Sequence, residues 1–279
     1  MPNDNVKSDL KQQFKAYAEK ILAMGNDQLE KTLMVALALS LACAVLVSLS
    51  AVALKPLQEA NKALDMRGNI LDVAGLLKPG TDINQAFEEQ IEAKLVDLDT
   101  GEYVDNIDVN AYDQREAKKD PKSSVAIPAA QDIAKIKRKA KIAKIYLVKQ
   151  GEDLKSIILP VSGYGLWSTM YGFLAIEPDG QTVQSINFYD QAETPGLGGE
   201  VVNPNWRALW QGKKIYTSDG EPVLHLVKGS VDPDKPGSEH KVDALAGATL
   251  TSVGVTNLIQ FWLGDQGFAR YLQKVRVEG

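Results

Sequence analysis

Histidine and cysteine are nearly absent from this sequence of 279 residues: two of the first, His225 and His240, and one of the second, Cys43. One cysteine excludes an intrachain disulfide and leaves no thiolate cluster for a metal or an iron–sulfur centre. Two histidines are too few for a histidine-rich metal site. Any redox chemistry must come from an organic cofactor or from partner subunits. A basic balance is lacking too: 31 Lys and Arg stand against 36 Asp and Glu, a formal net charge of −5. A nucleic-acid partner calls for a basic face, so none is expected. Glycine (22) and proline (12) are at ordinary levels, which argues against wholesale disorder. The length suits one large domain or two small ones.

Charge is also missing from one long run. Thr32 to Leu54 is almost entirely Leu, Ala, Val, Met and Ser, bounded by Lys31 and by Lys55-Pro56. About 20 apolar residues cross a bilayer as a helix. The run is longer than a signal-peptide core and starts later. It reads as a transmembrane helix over 32–54, with Cys43 packed inside it. Five lysines (7, 11, 15, 20 and 31) precede it, and Lys55, Lys62 and Arg67 follow. That bias towards an inside N-terminus is slight. Residues 1–31 form a polar segment in which Val6, Leu10, Phe14, Tyr17 and Ile21 recur at helical spacing. It reads equally as an interfacial or partner-binding helix and as a loose lead-in. Residues 55–279 form the remaining domain.

Within that domain, Leu57 to Leu77 reads as helix, broken at Lys78-Pro79-Gly80. Ile83, Phe87, Ile91 and Leu95 are four apart, which predicts a helix over 82–95. A short hairpin is expected over 96–104, irregular chain over 105–120, and a helix over 127–141 whose cations form a solvated face. Strand patterns follow at 142–148, 156–161, 171–176 and 182–189, with Asp179-Gly180 as a hairpin turn. Further strands are expected at 209–216 and 223–227, then helices at 253–263 and 268–274. The fold class is α+β, with a twisted, mainly antiparallel sheet.

Three segments draw chemical interest. Thr249, Thr251 and Ser252 stand just before the helix at 253. By composition alone they are N-caps, although a helix N-terminus also seats a phosphate. Glu193-Thr-Pro-Gly-Leu-Gly-Gly-Glu200 has the composition of a surface turn and is not a dinucleotide fingerprint. Ser162-Gly-Tyr-Gly-Leu-Trp-Ser168 reads as a bulged core strand. His225 reads as a strand residue and His240 as a loop-shaping one; neither is expected to be catalytic.

The run Asp243-Ala-Leu-Ala-Gly-Ala-Thr249 resembles the flavinylation signal D-x-x-S/T-G-A-T, whose last threonine is esterified to the phosphate of FMN. Other strings extend the likeness: Gly165-Leu-Trp-Ser168, Glu193 to Glu200, Trp206-Arg207, Ser238-Glu-His240, Gly247 to Ser252 and Phe261-Trp-Leu-Gly264. From about Lys31 onwards the sequence resembles the C subunit of the Na+-translocating NADH:quinone reductase. The G subunit of the Rnf complex is a more distant match. Residues 1–25 look like an extension. One position departs from the signal: Ala246 stands where Ser or Thr is usual, which bears on recognition by a flavin transferase.

The resemblance implies an FMN joined to Thr249 by a phosphoester, flanked by Ala248, Leu250 and Thr251. It implies that Leu166, Trp167 and Ser168 border the flavin. Glu193 and Thr194 would contact it, Leu197 would pack on the ring, and Gly198 would permit close approach. Asp243 and Gly247 would be read by the flavin transferase. It further implies a six-subunit complex, with the B, D and E subunits as neighbours. Electrons would come one at a time from a partner iron–sulfur centre and go on to an FMN on the B subunit, then to quinone. This chain itself would bind neither NADH nor quinone. The implied setting is the bacterial inner membrane, crossed once, with the N-terminus cytoplasmic and the FMN domain periplasmic. Outside the cytoplasm a weakly held flavin would diffuse away, and an ester bond prevents that. Two other readings stand beside this one: a membrane-tethered scaffold without cofactor, and the G subunit of an Rnf-type complex.

Overall fold

The computed structural model describes residues 4–26 and 28–278; the side chains of Val6, Leu10 and Phe14 lie outside what it describes. The chain divides into two compact units, residues 1–62 and 63–279. The first contains helix α1 (Asp4–Ala23) and most of helix α2 (Leu29–Val73). Among the described residues α2 is the one helix long and apolar enough to cross a membrane. Leu33, Leu37, Leu41, Leu46, Leu49 and Val52 along it are all exposed. It runs through Pro56 without interruption.

The second unit opens with the end of α2, followed by α3 (Ile83–Gln90), β1 (Ile91–Asp97), α4 (Gln114–Lys119), β2 (Ser124–Ala126) and β3 (Arg138–Ala140). Strands β4 (Ile142–Gln150), β5 (Asp153–Tyr164), β6 (Thr169–Ile176) and β7 (Val183–Asp190) follow. Next come α5 (Pro204–Ala208), β8 (His225–Val227), β9 (Lys241–Asp243), α6 (Thr249–Leu263) and α7 (Ala269–Glu278). The main sheet has the order β1-β4-β5-β6-β7 and is antiparallel throughout. Two-stranded pairs β2–β3 and β8–β9 stand apart from it, the latter parallel. The α+β class with an antiparallel sheet is thus as expected from the sequence.

Alternation along the strands feeds two cores. One face presents Ile145, Leu159, Leu174 and Ile186 to Val255, Leu258, Ile259 and Trp262 of α6 and to Leu272 of α7. The other presents Val148, Ile158, Phe173 and Ala175 to Ile70, Leu71 and Val73 of α2 and Ala86 of α3. Each fully buried Leu, Ile or Val contributes about 1.5–3 kcal/mol, so both faces are firmly covered. Gly163 lets α6 approach β5, because a Cβ there would collide with Leu258. Trp262 Nε1 closes the same contact by donating to Ser162 O at 2.7 Å.

Four expectations fail here, the first being irregular chain over 105–120: Gln114–Lys119 forms α4, capped by the Asp113 side chain. The helix begun at Ile83 ends at Gln90, and Ile91 starts β1, paired to Val148. A spacing of four satisfies a helix and a strand alike, and Ile91, Leu95 and Val96 bury themselves as strand residues. Residues 127–141 are not helical: the Asp132 carboxylate accepts the Ile136 and Lys137 N–H groups, and the chain ends in β3. Residues 209–216 make only isolated bridges, Thr182 to Lys214 and Tyr216 to Pro222. Leu209 caps α5, and Trp210 and Ile215 fill the core from a loop.

Candidate functional site

The last paired residues of β5 and β6 are Tyr164 and Thr169, so Gly165 to Ser168 is a hairpin tip. Gly165 N donates to Ser168 O at 2.9 Å to close it. The tip points Leu166 and Trp167 outward; Trp167 is 63% exposed. A second loop, Glu193 to Glu200, leaves the end of β7 and lies alongside. Trp167 Nε1 donates to Thr194 Oγ1 at 3.2 Å, and Ser168 Oγ accepts from Ala192 N at 3.0 Å. The third wall is the start of α6.

Glu193 binds the three together. It is 4% exposed. Its Oε1 accepts the N–H of Leu166 at 3.0 Å and of Trp167 at 3.0 Å, and its Oε2 accepts the Thr251 hydroxyl at 2.6 Å. Two backbone N–H groups and one hydroxyl thus converge on one side chain. The glycines around it leave room for no side chain. A Cβ on Gly165 would lie 2.5 Å from Glu193 Oε1. One on Gly198 would collide with Thr251 Oγ1 and lie 2.9 Å from Glu193 Oε2. Glu193 and Thr251 therefore face one another inside the wall, while Leu166, Trp167, Thr194 and Leu197 are on its surface.

Helix α6 starts at Thr249 itself. Its N-cap is Ala248, which makes no side-chain cap bond. The expected capping by Thr249, Thr251 or Ser252 is not found, because these residues lie inside the first turn. Thr251 turns to Glu193. Ser252 Oγ accepts Leu245 N and donates to Ala248 O, both at 3.0 Å, which fixes the loop before the helix. Among the described residues no acceptor meets the N–H groups of Thr249, Leu250 and Thr251. Three free N–H groups at the positive end of a 15-residue helix are a seat for a phosphate.

Thr249 is exposed, and the chain reaches it through Gly247 at φ +71. An L side chain is strained at that φ, and a Cβ there would stand 3.1 Å from Leu197 Cδ2. Leu197 (44% exposed), Leu250 (61%) and Val253 (49%) are exposed, as are Leu166 and Trp167, so each of the three walls carries exposed apolar side chains. Such a patch on an acidic protein is a binding surface by default. An exposed hydroxyl, a phosphate seat and exposed apolar side chains together fit an FMN attached through its phosphate. Asp243 is not at this surface contact: its Oδ1 accepts Val231 N at 2.8 Å and its carbonyl accepts Trp206 Nε1 at 2.9 Å. Ala246, the residue that departs from the signal, is exposed.

Sequence reasoning took Ser252 for a helix cap rather than the brace of the loop, and gave Trp206-Arg207 no anchoring role. Arg207 donates to Ile186 O on the open edge of β7 at 2.6 Å and to Asp72 Oδ2 of α2 at 2.6 Å. Asn187 joins the same cluster through Asn69 and Asp72. His225 Nδ1 meets Val223 O, two residues away, and His240 Nδ1 meets Lys214 O, 26 residues away; both contacts are to backbone. Among the described residues no group of His, Cys, Asp and Glu is placed to hold a metal.

Residues 165–264 match the FMN-binding domain family. That stretch begins at the hairpin tip and ends just after α6, so it encloses all three walls. The C subunit of the Na+-translocating NADH-quinone reductase of Vibrio anguillarum is 49% identical over 258 residues, 92% of this chain and 99% of the relative. The protein of that name from Pseudomonas aeruginosa is 50% identical over 249 residues, 88% of this chain and 95% of the relative. Among solved structures, NqrC of Shewanella oneidensis superposes with a TM-score of 0.72 at 35% identity, covering 78% of this chain and 99% of its own. The corresponding protein of Parabacteroides distasonis gives 0.61 at 27% identity, covering 78% and 96%. Sequence and fold agree, and the chain belongs to the family formed by the C subunit of the Na+-translocating NADH-quinone reductase.

Proposed function

We propose that this chain is the membrane-anchored FMN carrier of a Na+-translocating NADH-quinone reductase, with the flavin joined to Thr249 by a phosphoester. The observation that carries the reading is the exposed Thr249 hydroxyl beside the three unpaired N–H groups that open α6. Bound FMN supplies reversible one-electron chemistry that no side chain here offers. The N–H groups of Thr249, Leu250 and Thr251 offset the phosphate charge. Leu166, Trp167, Leu197 and Leu250 give the isoalloxazine an apolar shelf, and Thr194 and Ser168 offer hydroxyls at its rim. Glu193 and Thr251 hold the shelf rigid from behind. The ester removes the need for a deep pocket, so the ring stays open to donor and acceptor.

In this reading electrons arrive from an iron–sulfur centre in partner subunits and leave towards the FMN of the B subunit and then quinone. The B, D and E subunits are its neighbours, and a flavin transferase matures it. The exposed leucines along α2 support a single membrane crossing. The N-terminus is cytoplasmic and the FMN domain periplasmic. Ion movement is assigned to the partners, and this chain holds no Na+ site of its own in this reading. The test is fluorescence of the chain on a denaturing gel after coexpression with a flavin transferase. The wild-type band should fluoresce and a Thr249→Ala band should not. Fluorescence persisting in the variant would refute Thr249 as the acceptor. A colourless wild type would favour the scaffold reading.

A further inference from the structure

The segment before the apolar run is a helix, α1, from Asp4 to Ala23. A loose lead-in is thereby set aside. At about 100° per residue, Val6, Leu10, Phe14, Tyr17 and Ile21 share one face of this helix. Lys15 and Lys20 fall on either side of that face, and Gln12 and Glu19 fall opposite it. All four of these polar residues are exposed.

The end of α1 is tied to the start of α2. Lys31 Nζ donates to Met24 O at 2.7 Å and to Asn26 Oδ1 at 2.9 Å. The Tyr17 hydroxyl donates to Met34 Sδ at 3.4 Å. Met24, Lys31 and Met34 are half-buried, whereas Tyr17 is 57% exposed.

Met34 fixes the depth of the helix. It stands in the first turn of the uncharged run 32–54, the part of α2 whose exposed leucines call for a bilayer. A residue there lies at the boundary between headgroups and acyl chains, and Tyr17, in contact with it, lies at the same level. Tyrosine suits that boundary, with an apolar ring and a wet hydroxyl. Tyr17 belongs to the apolar face, so that face is turned towards lipid. Lysines beside such a face lay their stems along it and carry their ammonium groups to the headgroup phosphates.

We propose that α1 is an interfacial helix, its apolar face seated on the bilayer surface beside the entry of α2 and its Lys15 and Lys20 reaching the lipid phosphates. This rests on the single membrane crossing of the reading above. A helix tethered to a spanning segment meets the lipid surface at high effective concentration, so a narrow apolar face is enough to stay bound. The N-terminal segment is then pinned along one leaflet and is not free to cover a partner subunit.

The experiment uses the whole complex in its membranes, with a photoreactive benzophenone side chain placed in turn at Phe14, Ile21, Gln12 and Glu19. Two quantities are read: the mass of the irradiated full chain, and its retention in the membrane pellet after alkaline carbonate. The positions Phe14 and Ile21 should each gain a phospholipid mass at a yield several-fold above Gln12 and Glu19. Lys15→Glu/Lys20→Glu should lower the yield at Phe14 several-fold while the chain stays in the pellet. Adducts with another subunit at Phe14 and Ile21 would assign the face to protein and overturn the proposal. Equal lipid yields at all four positions, or none at any, would overturn it as well. An unchanged yield in the lysine variant would overturn the part given to the phosphates. If carbonate released the chain, the membrane crossing would fall by that result alone, and the lipid adducts would still judge α1.

Discussion

The Thr251 hydroxyl donates to Glu193 Oε2 at 2.6 Å, although 58 residues separate them in the chain. The bond joins the first turn of α6 to the loop after β7, two residues from the exposed Thr249. With the Leu166 and Trp167 N–H groups on the same carboxylate, one buried acid sets the spacing of all three walls.

Glu193→Gln is therefore expected to loosen the whole site. The amide nitrogen would face a donor, and charge-assisted bonds contribute about 1.5–3 kcal/mol each. The domain should lose about 2 kcal/mol or more, seen as a lower denaturant midpoint at unchanged slope. Flavin loading should fall with it. An unchanged midpoint would show that Glu193 does not bear on the walls.

Gly198→Ala attacks the same junction from the backbone side. Its Cβ would collide with Thr251 Oγ1 and crowd Glu193 Oε2. Overpacking of this kind costs about 1–3 kcal/mol. A Gly196→Ala control meets open space but a φ of +75, so it should cost about 1–2 kcal/mol without disturbing Thr251. Thermal melts together with flavin loading separate the two: both variants destabilise, and only Gly198→Ala should impair loading.

How far this site was legible follows from the same residues. The strands from 142 to 190 could be read because apolar residues alternate over two buried faces. The switch at Ile91 could not, since four-residue spacing serves helix and strand equally. Threonine and serine before a helix suggest caps, and only the folded chain shows Thr251 turned to Glu193 and Ser252 turned to Ala248. Family likeness named Glu193 as a flavin contact, and only the folded chain shows it pointing inward to Thr251 instead of standing on the surface. The same likeness named Leu166, Trp167 and Leu197, and that all three are exposed became visible only once the hairpin tip and the loop after β7 were in place.

Arg207 gives a prediction remote from Thr249. It joins the open edge of β7 to Asp72 at the end of α2. Arg207→Ala leaves Ile186 O and Asp72 without this donor, a cost of about 1–3 kcal/mol. Hydrogen exchange should quicken at the end of α2 and along β7. Exchange confined to α5 would contradict the role as a clasp.

Alkaline stability follows from buried phenols. Burial pushes Tyr112 and Tyr216 up to about 12 from the ordinary 10.0. Their hydroxyls donate to Ile142 O at 2.7 Å and Leu263 O at 2.8 Å. Above about pH 10 the unfolded chain releases these protons and the folded chain keeps them, so stability falls as pH rises towards about 12. Below about pH 10 the two phenols contribute no pH dependence. Denaturation at stepped pH, with Tyr216→Phe for comparison, should show a shallower alkaline loss in the variant.

The proposed covalent attachment at Thr249 is tested most directly by the intact mass of the full chain, wild type and Thr249→Ala, each coexpressed with a flavin transferase. The account predicts a wild type heavier than its sequence by one esterified FMN and a variant at its bare mass. The variant should keep the wild-type melting profile of its unflavinylated form, because an exposed threonine contributes within about 0.5 kcal/mol. A bare-mass wild type, or an FMN increment retained in the variant, would contradict it.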